Sequence, residues 1–159
     1  MFITLLVSTF FIMEFVAWFT HKYVMHGFLW VLHKDHHVPD PELQPLERND
    51  FFFLFFATPG ITLIGLGQFA GVPYCEAIGF GITAYGFCYF LVHDIFIHQR
   101  IKWFRNSNNV YLRSIRRAHK IHHKHRGKEH GECFGMLLVP IKYFRAEVKR
   151  KKWTTSIFY

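Results

Sequence analysis

Cysteine is scarce in this chain. There are three, at 75, 88 and 133, with no CxxC pair, which excludes a disulfide scaffold. Acidic residues are also few, 11 Asp and Glu in 159 residues. None forms an ExxH pair, so a carboxylate-rich di-iron bundle has no support in the sequence. HExxH, GxSxG and the P-loop are missing too, which removes a zinc protease, a serine hydrolase and a phosphate-cradling NTPase. What the chain does have is apolar and aromatic. Half of it (51%) is hydrophobic, 19% is aromatic, and Phe occurs 20 times, a composition that excludes disorder. The length allows one ordinary domain, read here as a single membrane-embedded unit over residues 1–159.

Charge and hydropathy are both segregated. Residues 1–20 carry one charge, Glu14, while 51–75 and 77–92 carry none. A bilayer core takes roughly 20 apolar residues as helix, so three spans are expected at about 2–20, 51–71 and 75–97. The first lacks the basic start and small-residue cleavage site of a signal peptide. A buried hairpin in a soluble protein is the competing reading, and so short a chain has little other material to cover one. Residues 1–99 hold Lys22, Lys34 and Arg48 against eight acids, a balance of −5. Residues 100–159 hold 16 basic residues against Glu129, Glu132 and Glu147, a balance of +13. Basic segments stay cytoplasmic. The expected topology therefore has the N-terminus outside, with segment 21–50 and the basic region 99–159 in the cytoplasm. The fold class expected is an all-α integral membrane protein, about three spans plus cytoplasmic-side helices.

Histidine is the conspicuous excess. Ten of the 12 fall in four boxes: His21 and His26; His33, His36 and His37; His93 and His98; His119, His122 and His123. The order HxxxxH, HxxHH repeats twice, and on the expected topology every box lies at the cytoplasmic membrane boundary. In a helix, positions i, i+3 and i+4 share a face, so each HxxHH aims three imidazoles one way. Imidazole suits Zn, Cu, Fe and Ni. Ten nitrogens are too many for one tetrahedral zinc and enough for two metals. The HxxxxH pairs fit less well, because i and i+5 lie about 140° apart on an ideal α-helix. Either the helix is distorted there or one member stands behind the metal. Around the last box, Arg113, Arg117, Lys120 and Lys124 lie within about 60° of one another, roughly 140° from the His face. That predicts ligands inward and cations outward.

Several residues are candidates for supporting these histidines. Asp35 and Asp94 sit beside box histidines and could orient an imidazole, or simply be solvated or capping carboxylates. Glu14, a charge inside a span, lies seven residues before His21 on nearly the same face, and could hydrogen-bond behind the site. His125 and His130 fall outside the boxes, as ligands or as exposed side chains. Trp18, Tyr23, Phe28, Trp30, Phe51, Phe52, Phe53, Phe55 and Phe56 are candidates to line an apolar substrate groove; interfacial or lipid-facing aromatics are the plainer reading.

The four boxes, their order and their spacing resemble the membrane-bound fatty acid hydroxylase/sterol desaturase superfamily of histidine-rich oxygenases. The flanking stretches EFVAWFTHKYVMHGFLWVLHKDHH and RAHKIHHKHRGKEHGECFGMLLVP are similar to those of the bacterial-type carotenoid 3-hydroxylases (beta-carotene hydroxylases). The resemblance implies hydroxylation at C3 of the beta-ionone ring, from beta-carotene to beta-cryptoxanthin to zeaxanthin. It implies a non-haem di-iron monooxygenase with the ten box histidines as ligands or their neighbours. Its cofactors would be two iron ions, O2, and electrons from an acidic, ferredoxin-type donor, with zinc able to replace iron in a purified sample. Its substrate would be an apolar carotenoid drawn from the bilayer of a bacterial cytoplasmic membrane.

Other readings compete with that one. A fatty acid or sterol hydroxylase and a carotenoid ketolase use the same boxes. A His-rich metal transporter or haem-binding protein is the alternative of a different class. A transporter places ionisable groups near the bilayer midplane, whereas these gather at one end of the spans. The basic region has its own explanation in lipid: Lys149–Lys152 beside Trp153 reads as an anionic-lipid anchor, and the 113–124 stripe as a surface for an acidic donor or for lipid. Nucleic acid is not needed to account for it.

Overall fold

The computed structural model describes residues 1–38, 46–103, 106–127, 129 and 131–156, with side chains up to 151. Every regular element among them is helical. The elements are α1 (Phe2–Phe19), a π-helical segment (Thr20–Phe28), α2 (Trp30–His37), a 3-10 turn (Arg48–Asp50), α3 (Phe51–Ala70), α4 (Cys75–Phe90), a second π-helical segment (Leu91–Ile97), α5 (Val110–His122) and α6 (Ile141–Ser156). Three helical stretches are long and apolar enough to cross a membrane: Phe2–Phe28, Arg48–Ala70 and Cys75–Ile97. The all-α architecture with three apolar spanning helices is the one expected. The first stretch runs past residue 20, because α1 passes into the π segment without a break until Gly27 leaves helical geometry. The chain divides into two compact units, Met1–Cys88 and Tyr89–Tyr159.

In the first unit, small residues let the spans touch. A Cβ on Gly79 would stand 2.7 Å from the Gly60 carbonyl oxygen, and one on Gly81 would stand 2.7 Å from the Leu6 carbonyl oxygen. Apolar helices gain nothing from leaving lipid for one another, so close backbone approach and hydrogen bonds must hold them together. One such bond is buried between α1 and α4: Tyr85 donates to Glu14 Oε2 at 2.7 Å. Helix α3 ends where Gly71 takes a left-handed conformation (φ 66°) and the Val72 N–H reaches back to the Leu66 carbonyl.

In the second unit, α5 starts at an Asn109 cap whose side chain accepts from Leu112 N–H. It packs on α6, and Ile115 and Ala118 of α5 and Tyr143 of α6 are buried. Glu147 of α6 is buried and accepts from Arg113, Arg117 and Arg150. Burial pushes its carboxyl up, but the hydrogen bonds and charges of Arg150 and Arg113 outweigh that and hold it below the usual carboxylate range. Of the cations expected to face outward, Arg117, Lys120 and Lys124 are exposed, Arg117 while also reaching Glu147, and Arg113 is half-buried against that carboxylate.

Candidate metal centres

The conflict posed by HxxxxH is resolved by the backbone. Both pairs lie in, or end, a π-helical segment. There the repeat is i to i+5: His98 N–H bonds to the His93 carbonyl at 2.9 Å, and Leu29 N–H to the Val24 carbonyl at 3.0 Å. Residues five apart thus stack on one face, as i and i+4 do in an α-helix. The His21 and His26 ring centroids are 5.1 Å apart, and those of His93 and His98 are 4.5 Å apart. Non-α turns need an outside hold, and Gln99 (φ 57°) supplies one by donating to the Ile95 and Phe96 carbonyls. Arg116 also donates to the Phe96 carbonyl and lies over its ring.

In the first unit, His21, His26, His33 and His37 bring ligand nitrogens within 4.8 Å of one another. His33 Nε2 lies 3.1 Å from His21 Nε2 and 3.2 Å from His37 Nε2. In the second unit, His93, His98 and His119 do the same, and His119 Nε2 lies 2.9 Å from His98 Nε2 and 2.8 Å from His123 Nε2. A metal–nitrogen bond is about 2.0–2.1 Å, so two nitrogens about 90–110° apart on one ion stand about 2.8–3.4 Å from each other. The spacings match. Burial and the charges of His93 and neighbouring rings hold His98 and His119 far below the ordinary histidine range. They are neutral, with lone pairs available to a cation.

Oxygen acceptors fix which nitrogen faces inward. His33 Nδ1 is 2.6 Å from Asn49 Oδ1, and His36 Nδ1 is 2.9 Å from Glu47 Oε2. His122, fully buried, has Nδ1 2.9 Å from the Glu132 carbonyl oxygen. Those oxygens accept, so Nδ1 donates and Nε2 carries the lone pair. The Glu132 carboxylate is bound in turn by Lys142 and Tyr143 of α6. These contacts with Lys142 and Tyr143 keep it below the usual carboxylate range, while burial and Glu132 push the Tyr143 phenol up. Burial drives the adjacent Cys133 thiol up to about 11, so it is not a reactive thiolate.

The supporting candidates fall out differently from one another. Asp94 Oδ2 lies 3.3 Å from His93 Nδ1, and its other oxygen pairs with Arg100. Asp35 is buried and accepts from the Arg48 backbone N–H, tying α2 to the turn that precedes α3. Glu14 is buried on α1 with its Tyr85 bond. His125 is exposed, and His130 lies outside the described residues. Glu47, Asn49 and the Glu132 carbonyl are the orienting groups that the sequence reading missed. Of the aromatics, Trp30 packs on His26 and His37, and Phe52, buried, meets His33. Trp18 stacks on Phe15 and meets Tyr23 edge to face, and Phe56 meets Phe55. Tyr23, Phe28, Phe51, Phe53 and Phe55 are exposed, as lipid-facing side chains of a span would be.

The two histidine clusters can each coordinate a metal ion, as a dimetal centre requires. Residues 6–141 match the fatty acid hydroxylase family. The chain is 43% identical over 125 residues to a beta-carotene hydroxylase of Pseudescherichia vulneris, covering 79% of this chain and 69% of that protein. It is 42% identical over 128 residues to one from Pantoea ananas, covering 80% and 71%, and 33% identical over 148 residues to one from Paracoccus sp. (strain PC1), covering 92% and 90%. No solved structure matches it. The chain belongs to the fatty acid hydroxylase family and is a homologue of the beta-carotene hydroxylases.

Proposed function

We propose that this chain is a membrane-bound, non-haem di-iron monooxygenase that hydroxylates C3 of a carotenoid beta-ionone ring, taking beta-carotene through beta-cryptoxanthin to zeaxanthin. One observation carries the reaction class: all ten box histidines are buried or half-buried, and seven of them form two clusters of converging nitrogens. The substrate rests on the names of the relatives.

Two iron ions held by the box histidines would supply, with O2 and electrons from a ferredoxin-type donor, the oxidising power that an unactivated C–H bond demands and side chains lack. The chain's own work is positional. Glu47, Asn49 and the Glu132 carbonyl hold three imidazoles with Nε2 presented, so little reorganisation is needed on metal binding. Burial of His33, His119 and His122 excludes water and keeps competing proton chemistry out. Trp30 and Phe52 give the first cluster an apolar wall against which a ring carbon can be aimed.

The charge split favours an N-terminus outside, with the histidines and the basic region on the cytoplasmic side of a bacterial inner membrane. An acidic electron donor would meet that basic side.

Expression in bacteria that accumulate beta-carotene, followed by pigment chromatography, tests the reading. Beta-cryptoxanthin and zeaxanthin are the expected products. Unchanged beta-carotene with the protein in the membrane overturns it. His36→Ala and His122→Ala should each abolish conversion while the protein still accumulates.

A further inference from the structure

Helix α6 has two faces that do different things. Glu147 is buried and turned onto Arg113 of α5, and Tyr143, also buried, lies about 40° from it on the same face. At 100° per residue, Ile141, Phe144 and Val148 lie within about 60° of one another and roughly 110° from that inward face, with Arg145 and Lys149 following at roughly 160°. Exposure agrees with this geometry. Ile141 is 60% and Phe144 37% exposed, Leu138 just before the helix is 74% exposed, and Arg145 and Lys149 are exposed.

The helix holds six Lys and Arg and one acid, Glu147, and that acid is turned inward onto Arg113 and Arg117. Lys142 is taken by Glu132. The outward side is therefore an apolar ridge flanked by cations, with no anion on it. Six cations in 16 residues forbid this helix from crossing a bilayer. An apolar strip beside a basic one is what a helix lying in the headgroup plane requires. The complement of such a face is a surface that is greasy below and negative above, and a chain with three spans is never far from one.

We propose that α6 lies in the plane of an anionic membrane surface, with Leu138, Ile141 and Phe144 set into the lipid and Arg145 and Lys149 on lipid phosphates. The Lys149–Lys152 run read from sequence is then the end of a longer contact that starts at Leu138. The inference stands on the faces of one helix and is independent of the reaction proposed above.

The test uses the full chain reconstituted in vesicles of phosphatidylcholine alone or mixed with phosphatidylglycerol. In a background of Cys75→Ser, Cys88→Ser and Cys133→Ser, Phe144→Cys carries a polarity-sensitive fluorophore. With phosphatidylglycerol, its emission should shift to the blue and be quenched by lipid-borne nitroxide. About 1 M salt, where the Debye length is about 3 Å, should weaken both effects. Arg145→Glu and Lys149→Glu should each lower the preference for anionic lipid about fivefold or more.

A second measurement needs no variant. Acetylation of Lys149 in the unaltered chain, read by mass spectrometry, should be slower in vesicles with phosphatidylglycerol. A probe that stays in water in both lipids, or Lys149 labelling that ignores lipid charge, overturns the proposal. So does a probe that leaves water only when an acidic soluble protein is added.

Discussion

A neutral imidazole offers a metal one lone pair, and which nitrogen carries it depends on what the other nitrogen donates to. Here the deciding oxygens come from Glu47 and Asn49, which lie 11 and 16 residues from the histidines they hold. The histidines were legible in the sequence because helical spacing groups them. Their acceptors were not, because no periodicity links α2 to the turn before α3. Asp35 and Asp94, chosen for adjacency, show how weak a guide adjacency is: Asp94 lies beside an imidazole, while Asp35 bonds a backbone amide. Glu47→Gln keeps an accepting oxygen and should retain most of the metal affinity. Glu47→Ala and Asn49→Ala should each weaken it by about 10- to 100-fold, read by competition with a coloured chelator on the purified protein. Equal losses in Gln and Ala variants would show that Glu47 acts by charge alone.

Elements add constraints that single residues do not reveal. The 140° misfit of HxxxxH was visible in the sequence. The distortion that removes it was not, because a π turn depends on hold points such as Gln99, just past its end, and Arg116, brought in from α5 by tertiary packing. The same holds for α5, whose basic stripe was expected to face outward, toward a donor or lipid, and whose Arg113 and Arg117 pair with Glu147 of α6. That carboxylate joins the two helices and sits below its ordinary value of 4.5. As pH falls, the unfolded chain takes up this proton before the folded one does. The stabilisation is therefore complete above about pH 4.5 and drains away as pH drops through the lower folded value. Glu147→Gln should cost about 1–3 kcal/mol at neutral pH, the partly exposed arginines keeping the figure modest. It should also flatten that acid limb in thermal unfolding of the solubilised protein. An acid limb as steep as the parent's would assign it to other groups.

At the scale of the whole molecule, the sequence spoke most clearly about the membrane. Span number follows from runs of uncharged residues, and the helices Phe2–Phe28, Arg48–Ala70 and Cys75–Ile97 sit where those runs are. The division into units at residues 88 and 89 had no such signal, because the boundary falls inside α4, where composition does not change. Sidedness is a property of the chain in a bilayer, and charge is the physical argument for it. Moving 16 basic residues across an energised membrane is opposed by the potential, whereas the acidic front of the chain carries only three. The sidedness proposed on that ground has the N-terminus outside and residues 98–159 inside. A fluorescent protein fused after Tyr159 should glow and alkaline phosphatase fused there should be inactive, with the reverse for fusions at the 71–74 turn. If phosphatase at the C-terminus were active instead, the basic region would lie away from any cytoplasmic electron donor. The histidine boxes would then have to be supplied from the opposite side, although their nitrogen clusters would still bind metal.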